Sequence, residues 1–460
     1  MKYLRKEVEK NTFCDILVAI DFERDGKNKM NYQKTLDYIT SLNQYGSVLG
    51  LDNMHRLCDR LGHPEDKCKV IHIAGTNGKG STSAYIAHML MAAGYRVGRY
   101  ISPVISDYRE RFQIGRRMIT QKDLCVYVER VKEVCDGLTK EGFPHPTPFE
   151  VETALGFLYF ADKQCDFVVL ETGMGGETDA TNVVKHPAAC VWTSISMDHM
   201  HFLGKTLSDI ARVKAGIAKS GAVLVSCLQQ PQAMEQLLKA AKQAGGSLQV
   251  ADVNKAGSVK YGLTTQQFSY KEFTKLKLHL AGTFQIENAV LAVETILQLR
   301  SVGVEIPDKA VYAGLEDTVW QGRLEVLQKK PLFLIDGAHN EDAAKKLASS
   351  IETYLQGKRL IYIMGVLKDK EYEKILALTA GYASHILTIT PPDNPRALSA
   401  LALAMAAREY HPQVTNLDSL EEAVEVAHLL AGREDVILCF GSLSFLGAVK
   451  EIMQRSRHGR

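Results

Sequence analysis

Residues 69–94 read KVIHIAGTNGKGSTSAYIAHMLMAAG, and the change of texture along them decides the fold. KVIHIAG (69–75) is a short apolar run rich in β-branched residues, the pattern of a buried strand, and 81–93 has the length of a helix that stops at Gly94. Between them lies Gly75-Thr76-Asn77-Gly78-Lys79-Gly80-Ser81-Thr82. Glycines let the backbone turn inward so that amide N–H groups face a bound anion. The helix opening at Ser81 adds its N-terminal partial positive charge, and Lys79 supplies a full one. Ser81 or Thr82 then offers a hydroxyl to a magnesium ion. The loop is not a strict G-x-x-x-x-G-K-[ST]: its first glycine is two residues closer, and Gly80 separates Lys79 from Ser81. An ordinary glycine-rich turn is the bland alternative. Strand before, lysine inside and helix after favour nucleotide phosphate.

Outward from this unit the alternation continues. Helix-like segments at 32–43 and 51–61 precede it, and apolar runs recur at 96–101, 166–170, 188–195 and 222–227 with helical stretches between most of them. A second series begins near 331, with strands read at 331–336, 359–365, 384–390 and 435–441 and helices at 341–355, 368–380, 396–409 and 418–431. Short buried strands alternating with helices specify parallel α/β sheets. Around 260–285 shorter alternating segments such as FTKLKLHL suggest a small antiparallel addition. The fold class expected is therefore α/β: a P-loop-type nucleotide-binding domain over 31–322, with a mainly parallel sheet plus that addition, and a Rossmann-like α/β domain over 323–460. EDTVWQGR (316–323) lacks periodicity and reads as the hinge, while the charged, poorly patterned residues 1–30 read as an extension.

Composition narrows the function classes. The chain has 460 residues, 46% hydrophobic and 23% charged, which excludes a disordered or fibrous protein. No apolar run approaches the ~18 residues of a spanning helix, so no membrane association is expected. A net charge of +2 without a basic block gives no nucleic-acid footprint. Nine scattered cysteines form no C-x-x-C pair, so neither a zinc ribbon nor a disulfide framework is indicated. The start MKYLRKEVEKNTFCD has no apolar core of a signal peptide, and cytoplasm is the expected location.

GTNGKGST resembles the ATP-binding loop of the Mur ligase superfamily. Gly80 after the lysine is similar to its folate branch, the folylpolyglutamate and dihydrofolate synthases, where cell-wall ligases usually carry Thr. The resemblance continues, in order, through ISP (101–103), FEVETALGFLYF (149–160), ETGMGGETDATN (171–182), SMDHMHFLG (196–204), VKAGIAK (213–219), GTFQIENA (282–289), WQGRLE (320–325), DGAHN (336–340) and FGSLSFLG (440–447). It begins immediately after Met30, so initiation there is one reading of the chain's start. It implies a central ATP-binding domain followed by a glutamate ligase domain.

Several residues carry chemistry on their own account. Glu171 ends the apolar run DFVVLE beside the phosphate loop, where a carboxylate can hold magnesium or simply be a solvated strand-end acid. His199 follows the next strand; a lone histidine is usually structural. A helix opened by Thr206 places Leu207, Ile210, Ala211, Lys214, Ile217 and Ala218 on one stripe. A lysine on an apolar stripe is unfavourable unless it snorkels, is paired, has a depressed pKa or is modified. Asp336 closes PLFLID, a functional location in α/β folds, and Asn340 caps the helix that follows. Asp179, Thr181 and Asn182 are expected to shape their loop through side-chain to backbone hydrogen bonds.

The resemblance implies more. It makes Ser102, Glu171 and His199 magnesium ligands and Lys214 an N-carboxylated lysine that can bind a second magnesium. It gives Asn288 the adenine side of ATP, Arg323 the phosphates, Asp336 the ribose, and His339 a place in the interdomain cleft. Glu110 and Arg111 match the E-R pair of its pterin-side loop, and Phe149 and Glu150 match as well. Val104, Glu177 and Val213 stand where the family usually has His, Arg and Glu. The reaction implied is ATP-dependent joining of L-glutamate to dihydropteroate or a reduced folate by a monomer, with catalytic parts for Lys79, Lys214 and His339. The rivals are a cell-wall Mur-type ligase and a P-loop nucleotide-binding switch protein.

Overall fold

The computed structural model describes residues 30–46, 48 and 50–458; the extension 1–30 lies, but for Met30, outside the described residues. Among the described residues seventeen strands follow one another, β1 (Lys69–Ala74), β2 (Val97–Tyr100), β3 (Phe112–Ile114), β4 (Arg117–Met118), β5 (Phe167–Glu171), β6 (Ala189–Trp192), β7 (Val223–Cys227), β8 (Leu248–Ala251), β9 (Gly257–Lys260), β10 (Gln266–Tyr270), β11 (Phe273–Leu278), β12 (Glu325–Lys329), β13 (Leu332–Ile335), β14 (Leu360–Met364), β15 (His385–Thr388), β16 (Val414–Asn416) and β17 (Val436–Phe440). The first eight form one sheet in the order β4-β3-β2-β5-β1-β6-β7-β8. Pairing is parallel from β2 to β8, and β3 and β4 continue the edge antiparallel. β9 to β11 make the small antiparallel sheet, and the last six strands form the second sheet, β12-β13-β17-β14-β15-β16, with β12 alone antiparallel.

Parallel strands covered by helices on both faces must be apolar on both faces, and β5, β14 and β17 are buried at every position. Helix Lys79–Ala92, continuing from the phosphate loop, is buried from Gly80 to Leu90, because helices Phe284–Ser301 and Asp308–Glu316 enclose it against β1 and β5. On the opposite face, helices Gln121–Lys140 and Pro148–Asp162 pack Val128, Val131, Leu155 and Leu158 over Val168 and Leu170. Two further clusters cover the faces of the second sheet, so it has a core of its own.

Differences from the sequence reading have simple causes. β12 and β16 are edge strands, mostly part-exposed or exposed, so they show no apolar run. The phosphate-loop helix begins at Lys79, two residues early, because Gly78 takes a left-handed φ of +90° at its N-cap. The Thr206-capped helix ends at Ala215, so Ile217 and Ala218 lie beyond its stripe, although Lys214 remains buried. The helix read from 368 begins at Tyr372, leaving Lys370 on a loop after β14. The eight described cysteines are free, and among the described residues no helix is long and apolar enough to cross a membrane.

Gly314 marks a close helix approach in the first core: a β-carbon there would lie 2.4 Å from Met89 Cα. Gly314→Ala is expected to lower unfolding free energy by about 1–3 kcal/mol, because neither backbone can yield without parting the helices. Urea denaturation of the two proteins measures this, and an unshifted midpoint would mean the contact is not tight.

Candidate active site

The strands β2, β5, β1 and β6 are neighbours, so the residues that follow them converge at one sheet edge. Ser102 follows β2, Glu171 ends β5, Gly75 to Gly78 follow β1, and Asp198 and His199 lie beyond β6. They line one cleft of about 150 Å³ with Lys79, Lys214 and Asn288 and, from the second sheet's side, Arg323, Asp336 and His339.

The loop is tied down from below. Thr76 donates its N–H to Ser194 O at 2.7 Å, and its hydroxyl oxygen accepts the Ser196 N–H at 3.0 Å. Lys79 Nζ donates to Gly75 O (3.2 Å) and Thr76 O (3.3 Å) and stands 3.9 Å from Glu171. Ser81 Oγ accepts from Gln285 Nε2 at 3.3 Å, while the buried Thr82 hydroxyl has no protein partner. Gly80 is where the indole of Trp320 comes down on the helix: a β-carbon would lie 2.4 Å from the ring. Asn77 reaches the other half, donating to Asn340 Oδ1 (3.1 Å) and Asp342 Oδ2 (2.8 Å).

Two buried groups are held far from their ordinary protonation. Burial pushes the Glu171 carboxyl up to about 7, against the pull of Lys79 and Arg323. Burial and the Lys79 charge push the Lys214 ammonium down to about 7; its Nζ donates to Gly75 O at 2.9 Å. Glu171, Ser102 and His199 share the cleft, and His199, with its side chain 40% exposed, stands at the rim. Carboxylate and hydroxyl oxygens beside a phosphate loop suit a hard divalent ion, and a buried carboxyl with so high a pKa gains by having a cation beside it.

From the second half, Asp336 accepts the N–H groups of Leu324 and Ala338, each at 2.8 Å. Burial raises its carboxyl while Arg323 opposes the shift. Arg323 Nη1 donates to Gly322 O at 2.9 Å. Asn340 accepts the Ala343 N–H as the expected N-cap. His339 Nε2 lies 3.8 Å from Asp198 Oδ2, and burial together with Lys370 pushes its imidazole pKa down.

The four remaining residues separate. Glu110 lines a neighbouring recess with Arg99, Gln113 and Trp320, but its carboxylate is engaged by the N–H groups of Ile105, Ser106 and Asp107. Arg111, Phe149 and Glu150 line a different recess with Thr147, Asp179 and Ala180, and both recesses reach Ser102 and Pro103. There Glu150 turns back to accept the Thr147 N–H at 2.7 Å, and Arg111 pairs with buried Glu152 at 3.3 Å. Asp179 accepts the Met174 and Thr181 N–H groups, and Asn182 donates to Glu177 O and Gly216 O, which is the loop-shaping expected of them.

Sequence reasoning passed over Asp198 and Lys370. Lys370 Nζ lies 2.7 Å from Asp198 Oδ1 across the cleft. Position beyond a strand's C-terminal end was the one available signal.

The Mur ligase middle domain model matches residues 73–296, and the Mur ligase glutamate ligase domain model matches 322–443. The chain belongs to the Mur ligase family. Among the relatives of this Mur ligase is the dihydrofolate synthase/folylpolyglutamate synthase of Bacillus subtilis, 35% identical over 91% of this chain and 98% of that protein. A Mycobacterium tuberculosis folylpolyglutamate synthase complexed with ADP superposes with a TM-score of 0.84 at 30% identity, covering 91% of this chain and 98% of that one. The Escherichia coli FolC in complex with DHPP and ADP gives 0.79 at 27% identity, covering 92% and 98%. The ligase reading thus holds over both rivals: this Mur ligase is an ATP-dependent ligase whose full-length relatives lie in the folate branch.

The Lys214 shift has a sign that can be measured. With a pKa of 10.5 when unfolded and about 7 when folded, the unfolded chain binds the extra proton between those values. Stability therefore rises with pH across that window, and the penalty is complete below it. In buffer free of bicarbonate and divalent ions, Lys214→Met is expected to gain on wild type by a few kcal/mol as the pH is lowered from about 10.5 to about 6. Denaturant titrations across that range check it; a gap independent of pH would mean an amine that titrates normally.

Proposed function

We propose that this protein joins the amine of L-glutamate to the carboxylate of a dihydropteroate or reduced folate, using ATP. The observation that carries the reading is the single cleft in which the phosphate loop and Glu171 face Arg323, Asp336 and His339. We take 31–322 and 323–460 as its two domains, supported by the gap between the two family matches at 296 and 322 and by β12 opening at Glu325.

A carboxylate resists attack by an amine because the incoming electron pair adds to an already anionic group. Transfer of the γ-phosphoryl group to one carboxylate oxygen gives an acyl phosphate and ADP. The glutamate nitrogen then attacks the carbonyl carbon, phosphate leaves, and the amine proton passes to solvent or a neighbouring base. Gly78 to Ser81 offer backbone N–H groups and the Lys79 charge to the phosphates, while the N–H groups of Thr76 and Asn77 are spent on Ser194 O, and Arg323 supplies a second cation from the other side. Asn288 is assigned to the adenine side and Asp336 to the ribose. Glu171, Ser102 and His199 would hold a magnesium ion, and Lys214, as a carbamate, a second; such ions neutralise charge on the phosphoryl oxygens. The depressed pKa of Lys214 supports the carbamate, since CO₂ adds only to the neutral amine. Contact of the two halves excludes water that would hydrolyse the acyl phosphate. His339, facing Asp198, is placed at the reacting end.

Arg111 and Phe149 are the acceptor-side residues best supported, because their recess opens onto Ser102 and Pro103. Glu150 in that recess and Glu110 in the neighbouring one act through the backbone N–H groups they hold. One chain supplies both halves of the cleft, which supports a monomer, and the substrates fit a cytoplasmic enzyme.

Phosphate release from ATP, measured with magnesium, is expected only when L-glutamate is present together with dihydropteroate or tetrahydrofolate. Running the two acceptors separately decides whether one activity or both are present. Lys79→Ala should lower the rate by at least ~100-fold. Release indifferent to glutamate and to both acceptors would sink the proposal.

A further inference from the structure

Asp198 belongs to the first domain, yet its carboxylate is held mainly from the second. Lys370 Nζ lies 2.7 Å from Oδ1, Asn340 Nδ2 donates to Oδ2 at 3.0 Å, and His339 Nε2 stands 3.8 Å from Oδ2. The Lys370 and Asp198 side chains are only 9% and 8% exposed. On its own side, Asp198 Oδ1 accepts the N–H of His199 at 2.8 Å. His199 has a φ of +51°, a left-handed conformation unfavourable for any residue with a β-carbon. One carboxylate thus braces a strained backbone in one domain and is itself braced by a cation from the other.

We infer that Asp198 and Lys370 form a closure latch, a pair of positioning residues that fixes His199 at the mouth of the cleft only when the second domain is docked. Attraction within a buried ion pair is largely offset by desolvation of both charges, so the pair contributes little to net stability. Leaving one of the two buried and unpaired is strongly unfavourable, and partly docked arrangements are the ones that do so. The pair therefore sharpens closure into a two-state event. Lys370 suits this part because it stands on the loop after β14, free of any helix, with its partner on the loop after β6.

The test uses the full chain and two readouts. In backbone hydrogen exchange, Lys370→Met should accelerate residues 196–204 by about 10–100-fold while helix 79–92 keeps its rate. Lys370→Arg should retain wild-type protection, and the double variant Asp198→Asn/Lys370→Met should exchange no faster than Lys370→Met alone. In the ligation assay, which rests on the proposed function, Lys370→Met should lower kcat by a similar factor while the ADP Kd stays within about twofold. Wild-type exchange of 196–204 in Lys370→Met, or effects that add in the double variant, would overturn the latch. A wild-type protein that releases phosphate with no acceptor tested defeats the ligation reading alone, because the exchange experiment still decides the latch.

Discussion

Four parallel strands lying side by side, β2, β5, β1 and β6, end at the same edge of one sheet, and whatever stands on that edge shares a cleft of largely buried side chains. Lys79, Lys214 and Glu171 all stand there, with only 3.9 Å between Lys79 and Glu171. In such surroundings a charge is stable only beside an opposite charge or an aligned dipole. Glu171 and Lys214 answer by shifting toward neutrality, in opposite directions. Both shifts follow from burial at this edge, and Arg323 from the second domain joins Lys79 in opposing that of Glu171. The shape of the first sheet and the chemistry at its edge are one constraint seen at two scales.

The second domain meets that edge with strand ends of its own. β13 and β17 are adjacent, and β17 pairs in turn with β14, so Asp336 and the loop carrying Lys370 emerge together. Beside the apolar packing of Ile105 and Ala281 on the second domain's cores, the halves make polar contacts: Asn77 with Asn340 and Asp342, and Asp198 with Lys370. Polar contacts of this kind specify one mutual orientation without binding the halves as tightly as an apolar interface would.

Much of this could be read from the chain itself, for reasons that differ by residue. The phosphate loop was legible because strand, glycines, lysine and helix are contiguous. Glu171 and Asp336 were legible because each ends an apolar run, and a lone acid at such a place is conspicuous. Lys214 stood out on its stripe although the helix proved shorter than the stripe implied. The edge strands β12 and β16 were not legible, because half-exposed strands carry no apolar run. The Asp198–Lys370 pair was invisible for a deeper reason: its members lie 172 positions apart on loops, where no periodicity exists to relate them. Glu110 illustrates the opposite case, a motif position that the structure shows anchoring its own loop through three backbone N–H groups.

The contact between Trp320 and Gly80 has a meaning for descent. With the indole seated against the Cα at 80, a larger residue there is compatible only with a smaller or displaced group at 320. The two positions lie 240 residues apart in the chain and yet cannot drift independently: a side chain at the first must be met by a smaller or displaced group at the second.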